Sequence, residues 1–318
     1  MVYSIRHVTN YLYVPAVRES VMEVRMQPRS EGHQRCLTFF LDVNPSTNIM
    51  LYRDFLGNTV HHFDIAEAHA QLRVTAKAVV EVQPPPVPES SGASDWAALD
   101  TQVRQGDFWE LLLPSSFARH TERLAKFTSE MKIERLGDPL ETMIRLNEVV
   151  YAAFEYVPRS TKVDSPIDDA LKSRKGVCQD FAHIMIALGR ELHIPCRYVS
   201  GYMLHDSKLH DRSPEGASHA WVEAFLPQAG WVAFDPTNKL MNTERHIRVA
   251  IGRDYADVPP TRGVHKGQAA SELSVAVNVS SMDAPMPEEF EPATVIRSGP
   301  LMVAAPSRST YQEQQQQQ

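Results

Sequence analysis

The chain of 318 residues carries 32 Lys and Arg against 39 Asp and Glu, a formal charge of −7, and 43% of it is apolar. At about 150 residues per domain this length suggests two domains with a sizeable core. The acidic balance gives no electrostatic footprint for a phosphate backbone, which excludes a general nucleic-acid binder. No apolar run approaches the roughly 18 residues of a membrane span. The opening MVYSIRHVTNYLYVP lacks the apolar stretch of a secretory leader. Three cysteines cannot make a disulfide framework, and the odd number leaves at least one thiol free. A reducing compartment, the cytoplasm, is the expected location.

Residues 1–82 read as strands. Met22, Val24 and Met26 share one face, as do Leu37, Phe39, Leu41 and Val43, and Val74, Ala76, Ala78, Val80 and Val82. Period two over short segments is the signature of half-buried strands. Asp54–Thr59 reads as a hairpin turn, with Gly57-Asn58 supplying positive φ. The prolines of Gln83–Ser94 (QPPPVPESSGAS) suit neither strand nor helix and mark a linker. Beyond it the period becomes helical. Asp138-Pro139-Leu140-Glu141 is a helix start, followed by an apolar stripe through Met143, Ile144, Val150, Tyr151 and Phe154. A second helix is expected from near Cys178 to Leu192. It is apolar nearly all round and therefore central. Strands are expected at Cys196–Met203, Ala220–Phe225, Trp231–Phe234 and Ser271–Val279. The order is α+β, without βαβ alternation. The expected layout is a small all-β domain at 1–82, a linker at 83–95, a catalytic domain at 96–282 and a disordered tail at 283–318, which ends in YQEQQQQQ.

Cys178 follows a Gly-containing turn and opens the apolar helix. A thiol there faces unpaired N–H groups and the positive end of the helix dipole. Both favour thiolate, and the same N–H groups could hold an oxyanion. Gly176 would let a substrate backbone approach. Cys36 and Cys196 begin strands and read as packing residues. A thiolate needs a proton-carrying partner, most often His. His219 stands at the mouth of a strand after the polar loop His205–Ser218, and Asp235 ends the next strand, just before a proline. A hairpin through Pro227–Gly230 would put both at one open end, opposite each other within a residue, where the carboxylate can fix the imidazole tautomer.

The blocks GVCQDFAH, SHAWVEAF and GWVAFDPTN resemble the three motif blocks of the transglutaminase-like superfamily, in its bacterial branch with a β-rich N-terminal domain. The resemblance implies a papain-like core, a central helix against an antiparallel sheet. Within it Cys178 would be the nucleophile, His219 the general acid/base and Asp235 the group orienting His219. It covers roughly residues 1–282. Asp180 reads as a helix cap or an orienter of a substrate amine, and His183 as a core residue. Trp221 and Trp231 read as hairpin packing, and Tyr156 as an unplaced phenol that could serve the oxyanion. Asn238 is a lesser alternative to Asp235. Arg253–Pro260, which also resembles the bacterial branch, would frame the cleft. No zinc, phosphate-loop or dinucleotide motif is present, so neither cofactor nor metal is expected.

The implied activity is thiol-dependent acyl transfer on peptide or carboxamide bonds. Cysteine protease or amidase hydrolysis is preferred over glutamine cross-linking, which would harm a cell interior. A non-catalytic peptide-binding module is the rival. The expected partner is a peptide or protein substrate, with ATP-grasp-type ligase pathway proteins implied by the resemblance, and neither nucleic acid nor membrane.

Overall fold

The computed structural model describes residues 1–89, 94–205 and 211–282, and the backbone of 294–298 and 311–315. Five strands come first: β1 (Val2–Val24), β2 (Gln34–Asn44), β3 (Met50–Arg53), β4 (Thr59–Ile65) and β5 (His69–Val82). The β3–β4 hairpin turns where expected, but only Gly57 takes positive φ, at 75°, while Asp54 Oδ1 accepts from the N–H groups of Leu56 and Asn58 at 3.0 and 2.9 Å. A helical stretch follows: α1 (Ser94–Gln105), α2 (Glu122–Glu130) and α3 (Pro139–Ala153). Next come the short strand β6 (Glu155–Tyr156), α4 (Ile167–Ser173), β7 (Lys175–Gly176) and α5 (Cys178–Glu191). The helix start at Asp138 forms as expected: its Oδ1 accepts from the N–H of Glu141 at 2.8 Å. Glu141 reaches back to the N–H of Gly137 at 3.0 Å.

The second half is strand-rich: β8 (Cys196–Met203), β9 (His219–Leu226), β10 (Gly230–Asp235), β11 (Leu240–Met241), β12 (His246–Gly252), β13 (Thr261–Lys266) and β14 (Ala270–Ser281). Two edge strands, β15 (Thr294–Ser298) and β16 (Tyr311–Gln315), pair with β14 and β13. They lie within the stretch expected to be a disordered tail; the rest of that stretch is outside the described residues.

Two sheets carry the molecule. β8–β12 make a five-stranded antiparallel sheet in the order β11-β10-β9-β8-β12, and α5 packs on β8 and β9. Phe181, Ala182, Ile184, Met185, Ile186 and Leu188 are all fully buried, so α5 is central as its all-round apolarity predicts. The other sheet is organised by β1. Its first half lies between β5 and β14, and its end, from Val21 to Val24, between β4 and β13. This pairing corrects the domain division. Residues 261–281, expected in the catalytic domain, return to the first sheet. Their alternation fits either sheet, and only the distant partner β1 decides.

The two sheets are joined by side-chain amides. Asn58 donates to the carbonyl of Ile251 and accepts from its N–H, both at 2.8 Å. Gln34 does the same with Arg248, again at 2.8 Å in each direction. Each amide stands where a neighbouring strand would stand, so the β12 edge is satisfied by the other sheet. Arg248 and Arg197 flank the buried Glu223 carboxylate at 3.4 and 2.6 Å, and hold its pKa down against the effect of burial.

Candidate active site

The helix carrying Cys178 starts abruptly. Val177 is extended (φ −117°, ψ 178°), and its N–H donates to Asp180 Oδ2 at 2.8 Å. The Thr161 hydroxyl donates to the same oxygen at 2.5 Å. Asp180 is therefore a cap. Burial pushes its carboxyl up to about 6 although both donors pull the other way. A Cβ on Gly176 would come within 3.0 Å of Asp180 and 3.1 Å of Phe181. The missing Cβ thus eases the close packing of this turn on the helix. Cys178 is left at the first helical position, 2% exposed, beside N–H groups that helix geometry leaves without intrahelical partners.

Facing it are the ends of three strands. β9 and β10 form the expected hairpin, but Phe234 pairs with Val222, so Asp235 stands across from Trp221 and is diagonal to His219. The expected opposition of His219 and Asp235 is two residues out, because Leu226 pairs directly with Gly230 and the turn is confined to 227–229. Since Trp221 and His219 point to the same face, the diagonal still brings the side chains together. His219 Nε2 lies 2.8 Å from Asp235 Oδ2. Its Nδ1 is buried without a hydrogen-bond partner among the described residues.

Asp235 is held from all sides. Oδ1 accepts from the N–H groups of Thr237 and Asn238 at 2.9 and 3.3 Å. Oδ2 accepts from His219, from Asn238 Nδ2 at 2.8 Å and from His246 Nε2 at 3.1 Å. Burial opposes charge on both members of the pair. For His219 the Asp235 carboxylate and then Cys178 outweigh burial and raise the imidazole to about 10. For Asp235 the two histidines outweigh it and hold the carboxyl well below its ordinary value. Asn238 does not replace Asp235. It braces it, while its Oδ1 accepts from the N–H groups of Arg212 and Ser213 at 2.8 and 3.3 Å.

Other expected residues fall into place around this centre. Tyr156 pairs with Gly176 across the β6–β7 bridge. Burial, and after it the neighbouring Cys178, Asp180 and Asp235, push its phenol well above the ordinary value and keep the hydroxyl neutral. Trp221 is more than hairpin packing: its ring stacks at 6.1 Å from His219 and lies 4.8 Å from His246. Trp231 packs elsewhere, under the Arg197 guanidinium at 4.1 Å. His183 is in the core as expected. Arg253–Pro260 does not frame the cleft: Tyr255 donates its N–H to His183 Nε2 at 3.1 Å, and the carbonyl of Arg253 accepts from Arg190 at 2.6 Å. The segment ties α5 to its surroundings, since Asp254 also accepts from the N–H of Phe117 at 2.7 Å and the Pro260 carbonyl from the N–H of Arg25 at 2.8 Å. Cys196 is fully buried against Gly189, and Cys36 is half-buried far along the chain on β2.

His246 was not among the expected residues. Its signal is the one that marks His219: an imidazole heading an apolar strand, HIRVAIG beside HAWVEAF. The atoms of His219, Asp235 and His246 lie within 4.8 Å of one another, close enough for a divalent cation. The protons disagree with a cation. Ligation through both Nε2 atoms would force both ring hydrogens to Nδ1, and His246 Nδ1 is buried with no acceptor. The cluster is a hydrogen-bonded relay.

The model of the transglutaminase-like superfamily matches residues 127–236, and that of the bacterial transglutaminase-like N-terminal region matches residues 3–81. The uncharacterized protein ML0607 of Mycobacterium leprae is 34% identical over 278 residues, which span 87% of this chain and 97% of that protein. A protein-glutamine gamma-glutamyltransferase of Pseudomonas aeruginosa is 30% identical over 115 residues, 34% of this chain and 17% of that one. A solved structure from Cytophaga hutchinsonii, a candidate cysteine protease, superposes with a TM-score of 0.69 at 23% identity, covering 99% of this chain and 98% of its own, and shares the fold. Matched by these two models over residues 3–81 and 127–236, the chain belongs to the transglutaminase-like superfamily, in the form that carries the bacterial N-terminal region.

Proposed function

We propose that this protein is a thiol-dependent acyl-transfer enzyme of the cysteine protease or amidase type, with Cys178 as nucleophile, His219 as acid/base and Asp235 as its orienting carboxylate. The observation that supports this reading is the buried His219–Asp235 pair at 2.8 Å, with Cys178 at the head of α5 among the groups that raise the imidazole. Cys178 Sγ, its proton passed to His219 Nδ1, attacks the carbonyl of a peptide or carboxamide. The developing oxyanion meets the first-turn N–H groups of α5 and the neutral Tyr156 hydroxyl. His219 gives its proton to the departing amine as the C–N bond breaks, leaving a thioester. Water then loses a proton to His219 and attacks, the C–S bond breaks, and the carboxylic acid leaves.

A second reading replaces that water with an amine and yields a new amide bond. The partial match to the gamma-glutamyltransferase favours it. Incubation of the purified chain with a peptide library and a primary amine, read by mass spectrometry and ammonia release, separates the two. Cys178-dependent hydrolysis products are expected; Cys178-dependent amide products instead select cross-linking. Iodoacetamide labelling across pH addresses the binding-module rival. A nucleophilic Cys178 reacts well below the ordinary thiol value of about 8.5, and a thiol that behaves as a free one, with no Cys178-dependent product, sinks the enzymatic reading. The free thiols of Cys36, Cys178 and Cys196 support a reducing, cytoplasmic setting.

A further inference from the structure

We infer that His246 is a positioning residue of the same site: a second imidazole donor on Asp235 that sets how firmly this carboxylate holds the proton on His219. The inference rests on the acyl-transfer reading and deepens it, since it names the group that tunes the acid/base.

The geometry begins with one oxygen. Asp235 Oδ2 receives His219 Nε2 at 2.8 Å, Asn238 Nδ2 at 2.8 Å and His246 Nε2 at 3.1 Å. A carboxylate oxygen offers about two lone-pair directions, so three donors must share it. Each additional N–H draws negative charge away from His219 and weakens the stabilisation of its imidazolium. The ring of His246 is fixed for this task. It is 7% exposed and tilted against Trp221 at 4.8 Å, with its centroid 5.8 Å from that of His219. The approach depends on Gly201, the residue of β8 that pairs with both His219 and Arg248. A Cβ there would come within 2.6 Å of the Trp221 ring and 2.2 Å of the Ile247 carbonyl. Without that Cβ, side chains from β9 and β12 can meet over the strand between them.

The protonation state follows from the same contacts. For Nε2 to donate, the ring must carry its hydrogen there and leave Nδ1 bare. Nδ1 is buried without a hydrogen bond, and an unpaired acceptor is the cheaper fault than an unpaired buried N–H. The charged groups facing His246 are Asp235, His219 and Arg245, with Asp211 and His205 beyond Arg245. Burial, His219 and Arg245 all disfavour a second imidazolium, and Asp235 favours it; the balance keeps His246 neutral. A neutral donor on Oδ2 moderates the His219–Asp235 pair, so that His219 can both keep and release its proton.

The test uses the full chain with isotope-labelled histidine, followed by NMR as pH is raised, alongside the pH profile of turnover. His246→Phe removes the donor and should move the His219 titration and the alkaline limb of turnover upward by about one pH unit, a tenfold change in proton concentration. His246→Gln, which can still donate, should restore both to within a few tenths of a unit. A folded His246→Phe protein with both curves unmoved overturns the inference, because a merely structural residue would change the melting temperature and not the limb. Wild-type protein gives a check that needs no variant: the His246 nitrogens must show the neutral Nε2–H form. A hydrogen on Nδ1 in the folded wild-type protein overturns the inference outright. Failure of the underlying reading looks different. There Asp235→Asn would leave the His219 titration in place, and Cys178 would alkylate no faster than a free thiol.

Discussion

Two histidines flank the same helix, and both are buried: His183 within α5, and His219 opposite its N-terminus. Their environments send them in opposite directions. Burial lowers His183 to about 4 against the opposing pull of Asp254; it accepts the Tyr255 N–H at 3.1 Å and stacks on Phe117 at 5.4 Å. His219 is just as buried, yet the Asp235 carboxylate at 2.8 Å and, after it, the neighbouring Cys178 raise it to about 10. Burial alone makes a neutral core histidine, and a carboxylate on one nitrogen favours an imidazolium in spite of burial. The same contrast holds for the surroundings. At the far end of α5, Arg190 makes four hydrogen bonds to carbonyls and a hydroxyl. Around His219, the buried Ser218 hydroxyl, Thr237 hydroxyl and His219 Nδ1 have no conventional protein partner.

Mutation breaks the comparison most sharply at the thiol. Cys178→Ala should abolish turnover in a steady-state assay, since no other residue forms the thioester. His219→Ala should lose about 10²–10⁴-fold in kcat, Asp235→Ala less, and Cys178→Ala/His219→Ala hardly more than Cys178→Ala alone. His183→Leu should leave kcat within a few-fold and lower the melting temperature; an abolished kcat in a folded His183→Leu protein would erase the distinction between the two histidines. Equilibrium unfolding across pH sharpens it further. His219 is raised from 6.5 to about 10, so its stabilisation is complete below about pH 6.5 and fades as pH climbs through 10. His183 is lowered to about 4, so stability drains as pH falls from about 6.5 towards 4. A plateau between, with both shoulders lost in the matching variants, is the expected curve. Asn58→Ala should cost about 1–3 kcal/mol, because it strands the buried N–H and carbonyl of Ile251, and Gln34→Ala less, because the Arg248 carbonyl keeps the Arg29 N–H at 3.0 Å. Cys36→Ser should change neither activity nor melting measurably.

What could be read in advance was local. The cap at Asp138, the apolar helix from Cys178 and the hairpin of β9 and β10 are each written within twenty residues, as turn chemistry and period. The family blocks added their roles. Register was less secure, because the count from Pro227 to Gly230 depends on which turn forms. The helices α1 and α2 went unread for want of a strong stripe near the linker; Leu124 and Phe127 are the buried residues of α2. The return of β13 and β14 to β1 is invisible to any window, since Val21 meets Val264 across more than two hundred residues. His246 belongs to the same class. Its partner Asp235 is eleven residues away in sequence, but the two meet only because strands from separate hairpins converge over Gly201.

The double amide clamp on β12 bears on the timing of synthesis. β1 leaves the ribosome first and must wait for β14, the last strand to be made among those flanking it, while Cys178, His219 and Asp235 are already present. Contacts of such long sequence separation form slowly. During that interval Asn58 and Gln34 hold the catalytic sheet from a support that is itself unclosed. A chain truncated before β13 and β14 thus carries Cys178, His219, Asp235 and His246 but lacks the strands that close the supporting sheet around β1.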